Sequence, residues 1–231
     1  SGGNYNVVVG DEAGTAISTG DNNVAVGYNA LASEDTGSAN TAIGRYALSA
    51  LNNDAISYNT AVGFSAGAAV TTGVRNTLIG GIAGDALTDA DDNVVLGYQA
   101  LSNDTLGSRT IAIGKGALTT QNFTSATDTY NTAMGYNAGN QVTTGVQNTF
   151  VGGLAGDATD DGAYNTAVGQ GALSANCADK NTSVGAASLA VCTGAGNTVV
   201  GYAAGFGVTS GSNNLFIGED SGRTGSPGGN I

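Results

Sequence analysis

Histidine is absent from the 231-residue chain, and its absence excludes most familiar catalytic centres. Without imidazole the chain cannot build Ser-His-Asp or Cys-His nucleophilic sites, or zinc sites that use histidine ligands. Acidic pairs such as Glu34 with Asp35 occur only in variable segments, where neighbouring acids are ordinarily solvated. A glycosidase-like pair of carboxylates stays open on sequence alone, but we expect the protein not to be an enzyme.

Other residue types and features are scarce as well. The chain has no tryptophan, one proline and 10% charged residues, against 39 glycines, which is far from an average globular composition. No stretch is long and apolar enough for a transmembrane helix and no signal peptide begins the chain, so we expect no membrane insertion. The net charge is −12, and because phosphate binding needs a basic surface, we expect no nucleic acid partner.

What the chain does contain is a repeat. A variant of Asn-Thr-Ala-Val-Gly recurs thirteen times, and its terminal glycine returns with a dominant spacing of 17 residues. The pattern predicts an all-β parallel β-solenoid (a β-roll or β-helix) of about 13 coils. We expect one repeat domain over 1–231, with repeats over 4–222 and a Gly/Ser-rich tail over 223–231.

The columns of the aligned repeat predict the two sides of each strand, because side chains alternate with period two. The residue before the glycine is always large and aliphatic, and the residue two positions earlier is nearly always β-branched, so we expect both to face inwards. A threonine column could suggest an ice-binding plane, but this assignment places it inside. The predicted core column is Val26, Ile43, Val62, Ile79, Leu96, Ile113, Met134, Val151, Val168, Val184, Val200 and Ile217.

The middle residue of each strand is apolar too, in twelve of thirteen repeats. Under the same assignment it faces outwards, and a strand that is apolar on both sides is buried on both. Other copies of the chain around a common axis would supply the second layer most simply. The predicted subunit interface is Leu78, Val95, Phe150, Val199 and Phe216.

Asparagine stands four residues before the glycine in twelve of thirteen repeats, with Thr110 as the exception. Two interpretations are open: a ladder of amides hydrogen-bonded along the axis, or a turn residue that begins each strand. The candidate ladder is Asn23, Asn40, Asn59, Asn76, Asn93, Asn131, Asn148, Asn165, Asn181, Asn197 and Asn214.

The two cysteines, Cys177 and Cys192, occupy the same loop of two successive repeats. Stacked strands lie ~4.8 Å apart, which is within the usual Cα separation of a disulfide. We predict a disulfide rather than two reduced thiols, and with it an oxidising or extracellular environment.

Acidic and aromatic residues outside the strands suggest two kinds of ligand. Acidic runs could hold calcium but lack the spacing of calcium-binding β-rolls, so solvated loops are favoured and no cofactor is expected. Aromatic residues after the repeat glycine could stack on sugar rings, although a core corner or a subunit contact is the favoured interpretation. The acidic runs are Asp89, Asp91, Asp92 and Asp157, Asp160, Asp161, and the candidate glycan contacts are Tyr28, Tyr98, Tyr136 and Tyr202.

Four residues after the repeat glycine, glycine pairs alternate with leucine pairs, for which the sequence offers no evident physical reason. This corner column runs Gly14, Leu31, Leu48, Gly67, Gly84, Leu101, Leu118, Gly139, Gly156, Leu173, Leu189, Gly205 and Gly222.

Repeats such as 23–27 (Asn-Val-Ala-Val-Gly) and 40–44 (Asn-Thr-Ala-Ile-Gly) resemble the head repeats of trimeric autotransporter adhesins. Segment 131–138, Asn-Thr-Ala-Met-Gly-Tyr-Asn-Ala, is similar to repeats of bacteriophage tail fibres and related surface proteins. The resemblance covers essentially the whole chain. It implies a trimeric, left-handed parallel β-roll that binds host surfaces, and it assigns no ligand residue.

Together these inferences predict a structural and adhesive fibre segment on a virion or cell surface, outside the cell, which presents loops or spaces a receptor-binding tip. One alternative is a self-assembling extracellular filament whose subunits stack end to end. Another is a carbohydrate-binding module. The expected partners are the chain itself, as a homotrimer or an end-to-end polymer, and a cell-surface glycan or protein.

Overall fold

The computed structural model describes residues 3–222, so the predicted tail over 223–231 lies outside the described residues. Every described secondary-structure element is a short β-strand, and no helix occurs among these residues. The chain forms two compact units. The first comprises residues up to 113 together with 122–128, and the second comprises 114–121 together with the residues from 129 onward.

The first unit is a parallel sheet of three-residue strands, one per repeat. Strands β1 to β6 and β8 pair in chain order, each parallel to the next and in register by one repeat. Strands β7 and β9 form a separate parallel pair. The strands are β1 (Val7–Val9), β2 (Val24–Val26), β3 (Thr41–Ile43), β4 (Thr60–Val62), β5 (Thr77–Ile79), β6 (Val94–Leu96), β7 (Gly107–Ser108), β8 (Ile111–Ile113) and β9 (Thr127–Asp128).

The second unit repeats this plan. Its strands pair in chain order, parallel and in register. The predicted all-β parallel β-solenoid is therefore confirmed, with each coil contributing one strand. The strands are β10 (Thr132–Met134), β11 (Thr149–Val151), β12 (Thr166–Val168), β13 (Thr182–Val184), β14 (Thr198–Val200) and β15 (Leu215–Ile217).

The repeat glycine ends each strand where successive coils approach most closely. Gly80 has a φ of +135°, which favours glycine. A Cβ atom at Gly80 would also lie 2.6 Å from the carbonyl oxygen of Gly97, the equivalent residue of the next coil. Both the backbone conformation and the lack of space therefore require glycine at this column.

The two sides of the strands are reversed relative to the sequence assignment. The middle residue points into the coil and is fully buried in eleven of the three-residue strands, namely β2 to β6, β8 and β10 to β14. The predicted subunit interface is therefore core: Leu78, Val95, Phe150 and Val199 are fully buried, and Phe216 is half-buried.

The predicted core column is wrong for the same reason, because it lies on the outer side of the strands. A coil of about 17 residues encloses little volume, and the middle residue, the alanine or serine after the turn and the asparagine already occupy it. Larger aliphatic residues are left on the open side. None of Val26, Ile43, Val62, Ile79, Leu96, Ile113, Met134, Val151, Val168, Val184, Val200 and Ile217 is buried.

The alternation of glycine and leucine corners follows from the size of the middle residue. A Cβ atom at Gly67 would lie 2.5 Å from Cδ1 of Leu78, and one at Gly84 would lie 3.0 Å from its Cδ2. In the second unit, Gly139 and Gly156 meet the ring of Phe150 in the same way, at 2.9 and 2.5 Å. One large inward side chain therefore fills the corner of its own coil and that of the preceding coil, which explains these two glycine pairs.

Leucine corners show the converse. Leu173 and Leu189 are fully buried in coils whose middle residues are Ala167 and Ser183. The corner backbone is left-handed whichever residue occupies it, with a φ of +54° at Leu173 and +61° at Gly156. Leucine therefore accepts an unfavourable backbone conformation, which costs about 1–2 kcal/mol, to fill the space beside a small middle residue.

Candidate functional site

The outer sheet face is the first candidate site. We define it as the first and third residues of each three-residue strand, all of which point away from the coil interior. It carries threonine and aliphatic side chains and no charged residue. Leu96 and Met134 are 44% and 41% exposed. An exposed apolar strip of this kind indicates a surface that contacts something else.

Threonine rows run along this face. Five threonines of successive strands pair in register in the second unit, and Thr41, Thr60 and Thr77 do so in the first. The expectation that the threonine column faces inwards is therefore wrong. The five in the second unit are Thr132, Thr149, Thr166, Thr182 and Thr198.

The second candidate site is the corner ridge, which we define as the residues that directly follow the repeat glycines. All four candidate glycan contacts are exposed there, from 38% for Tyr28 to 59% for Tyr202, with Tyr98 and Tyr136 between. Exposure permits stacking on a sugar ring, whereas a corner covered by the chain's own core would not.

Arg45 lies on this ridge among three aromatic rings. Its Cζ atom is 4.6 Å from the ring centroid of Tyr46, 5.7 Å from that of Tyr28 and 5.8 Å from that of Phe64. One guanidinium nitrogen also donates to the Tyr46 hydroxyl at 3.3 Å. In the second unit, Nζ of Lys115 lies 5.6 Å from the centroid of Tyr136. Sequence reasoning missed Tyr46 because it falls outside the column after the glycine.

Carboxylates lie at one side of the Arg45 cluster. The pKa of Tyr28 is raised, chiefly by the negative charge of Glu12 and then by Tyr46. The rings of Tyr28 and Tyr46 meet edge to face, with centroids 5.5 Å apart and an interplanar angle of 75°. The cluster thus combines a cation, exposed ring faces and hydrogen-bonding carboxylates.

The asparagine column forms hydrogen bonds from coil to coil. Oδ1 of Asn148 accepts the backbone N–H of Asn165 at 2.9 Å, and its Nδ2 donates to the carbonyl of Gly162 at 2.9 Å. Some amides also bond directly to each other, as from Asn214 to Asn197 at 2.8 Å. In the first unit, the same bond runs from a backbone N–H to Oδ1 of the asparagine one coil earlier. The residues that donate this N–H are Asn23, Asn40, Asn59, Asn76, Asn93 and Thr110. In the second unit, the first acceptor is Oδ1 of Asn131. The residues that donate their backbone N–H to the preceding asparagine are Asn148, Asn165, Asn181, Asn197 and Asn214.

Glu34, expected in a solvated segment, is instead buried and caps backbone N–H groups, and Asp104 does the same. The carboxylate of Glu34 is fully buried and accepts the backbone N–H groups of Gly37 at 2.7 Å and Asn53 at 3.2 Å. Burial raises its pKa. Asp104 accepts N–H groups from Gly107 and from Phe123, which is itself buried. Both acids replace an aliphatic core residue, and that substitution is the signal that could have identified them.

Most aspartates of the two acidic runs form hydrogen bonds or ion pairs with residues of the preceding coil. Asp92 pairs with Arg75 at 2.5 Å, and this partner lowers its pKa. Asp89 and Asp160 accept threonine hydroxyls. Within residues 3–222 no group of three or more acidic or cysteine side chains could hold a metal ion. The same residues contain no helix able to cross a membrane.

The predicted disulfide is not formed. Both cysteines are free and buried, and Sγ of Cys177 lies against the carbonyl oxygens of Cys192 at 2.9 Å and Ala175 at 3.1 Å. Burial raises the pKa of the Cys177 thiol to about 12. The thiols therefore fill the core and are poorly reactive.

No protein-family model matches the chain, and no curated protein matches it either.

Proposed function

We propose that the chain is a segment of a homotrimeric structural and adhesive fibre on a virion or cell surface, outside the cell. The observation that carries the proposal is the outer sheet face, which is apolar, uncharged and exposed in both units. Each square ångström of apolar surface covered by a partner is worth about 25 cal/mol. Burial of this face by a partner would therefore contribute substantially to the free energy of association.

A second and third copy of the chain are the proposed cover. Closed rotational symmetry is the usual way in which one repeated surface meets itself. The face has no charge whose desolvation would oppose association. The trimeric state and the left-handed coil are taken from the resemblance to autotransporter heads. The similarity of the repeats to those of phage tail fibres supports the placement on a surface fibre.

The solution mass tests this proposal. Light scattering on a sizing column should give three times the chain mass of 22.4 kDa. Val168→Glu, on the outer sheet face, should reduce the mass to that of one chain because it places a carboxylate from each subunit in the interface. Thr144→Glu adds the same charge at an exposed loop position and should leave the trimer intact.

Other masses would redirect the proposal. A wild-type monomer would contradict it, as would a trimer that survives Val168→Glu with an unchanged circular dichroism spectrum. A series of masses that grows with protein concentration would instead favour the end-to-end filament.

Ice binding is a second candidate function, favoured by the five in-register threonines of the second unit. Their hydroxyl and methyl groups repeat every ~4.8 Å along the sheet, an arrangement suited to ordered water. This function needs an uncovered face, so it applies only to a monomer. Partition of the wild-type chain into slowly growing ice, lost in Thr166→Tyr, would support it, and exclusion from ice would remove it.

A further inference from the structure

The basic residues of the chain are few and are used in two different ways. The chain has six Lys and Arg residues against eighteen acids. Arg75 and Arg109 form ion pairs with loop aspartates, including Asp92 and Asp128. Arg45 has no carboxylate within ion-pair distance among residues 3–222, although acids are three times as numerous, and it lies among aromatic rings instead.

The position of Arg45 leaves its charge available to a ligand. The side chain is exposed, and its hydrogen bond to the Tyr46 hydroxyl uses one of five N–H donors. Tyr28 and Phe64 lie on the ridge in the coils before and after it and are 38% and 52% exposed. The stacked rings hold the guanidinium in place, so less conformational entropy is lost when it binds.

We propose that the cluster of Arg45, Tyr28, Tyr46 and Phe64 binds a saccharide that carries a carboxylate. The guanidinium donates two N–H groups to the carboxylate, as in other arginine–carboxylate pairs. The apolar face of the sugar ring packs on Phe64 or Tyr28. Glu12, beside Tyr28, is placed to accept sugar hydroxyl hydrogens.

The charge of the whole chain favours this ligand class over a general polyanion. At a net charge of −12 the surface repels anions, so an anionic ligand is attracted only where a cation has no carboxylate partner. A neutral sugar would leave the guanidinium without a partner. The site needs one chain only, and its existence does not depend on the trimer.

Lys115 and Tyr136 provide a weaker version in the second unit. They occupy the same ridge, but the ammonium is a point charge and one ring stands 5.6 Å away. We expect this pair to contribute little to binding, and it serves as an internal reference.

The test is an array of uronate- and sialate-bearing glycans beside their methyl-esterified forms, probed with the full chain. We expect retention of at least one acidic glycan and loss of that retention on esterification. With the retained glycan as a soluble probe, Arg45→Gln should weaken binding at least about tenfold, since a charge-assisted pair is lost. Phe64→Ala should weaken it as well, whereas Lys115→Gln should change it little.

Arg75→Gln is the matched control, because it removes an exposed arginine that is already ion-paired and should leave glycan binding unchanged. The proposal is overturned if no acidic glycan is retained, if the esters bind equally well, or if Arg45→Gln binds as the wild type does. Each variant's mass by light scattering shows whether assembly has changed, so loss of the glycan site is distinguishable from loss of the fibre.

Discussion

The inner and outer sides of the same three-residue strands differ in an unexpected direction. On the inner side, every three-residue strand except β1 and β15 carries a fully buried alanine, serine, valine or larger residue, such as Leu78 or Phe150. On the outer side stand valine, isoleucine, leucine and threonine, half-buried or exposed. The hydrophobic side chains are therefore larger on average on the outer side, which the chain itself does not cover.

This difference separates two kinds of packing. The inner side is matched by size, since Leu78 and Phe150 each face two glycine corners, whereas leucine fills the corner beside a small middle residue such as Ala167. The outer side is uniform along the units and has no such matching. Matched packing defines one fold of one chain, whereas a uniform face suits contact with a repeating partner.

The largest effect is expected at the best-matched position. Phe150→Ala should lower the free energy of unfolding by about 3–5 kcal/mol, because it leaves a cavity over Gly139 and Gly156. Gly156→Leu alone should destabilise by overpacking against the Phe150 ring. The double variant copies the Ala167 and Leu173 pair of the next coil and should be more stable than the sum of the two losses predicts. Urea unfolding of all three, in a Val168→Glu background that removes association, measures the coupling.

The coupling decides the outcome. An interaction energy of about 0.5–3 kcal/mol in favour of the double variant supports size matching. Strict additivity would mean that corner and middle residue are chosen independently, and the explanation of the glycine and leucine pairs would fail.

The next effect concerns the hydrogen bonds of the inner side. Asn148→Ala should cost about 2–4 kcal/mol, because the N–H of Asn165 and the carbonyl of Gly162 lose their partners, and each unsatisfied buried group costs about 1–3 kcal/mol. Its neighbour Thr149 lies on the outer side. In the same Val168→Glu background, Thr149→Ala should change the unfolding free energy by no more than about 0.5 kcal/mol. Equal losses for both variants would show that the two sides are equally buried in one chain.

The repeat made the fold predictable, but it did not show which side of each strand faces the core. Thirteen glycines marked the strand ends, and parallel stacking follows from the constant spacing. Alternation has period two on both sides, so it cannot tell inside from outside when both are apolar. The deciding signal was size: the large middle residues Leu78 and Phe150 each coincide with a pair of glycine corners, which indicates that the two columns are in contact.

The candidate sites were predictable in part. Exposure of Tyr28 and Tyr136 agrees with their display for stacking, but the Arg45 cluster depends on Tyr46, which no column singled out. The disulfide was inferred from Cα spacing alone. Cysteine side chains that point at carbonyl oxygens inside the coil have no such signature in sequence.

The smallest effect expected is a pH dependence. Asp85 and Asp157 occupy equivalent positions, and in each the buried Oδ1 has no hydrogen-bond partner among residues 3–222. Burial raises the pKa of both carboxyls above their ordinary value of 3.8. The folded state therefore binds these protons more tightly than the unfolded state. The stability they contribute is complete below pH 3.8 and is lost as pH rises through the raised pKa.

Asp157→Asn should thus raise the unfolding free energy at neutral pH and flatten its decline above pH 3.8. Asp92→Asn is the control with the opposite sign, because Arg75 lowers the pKa of Asp92 and stabilises its ionised form. That variant should lose stability at neutral pH and differ less from the wild type in acid. Urea unfolding across the pH range, in the Val168→Glu background, measures both. If Asp157→Asn and Asp92→Asn shift stability in the same direction, burial is not what governs Asp157, and its side chain lies outside the inner packing.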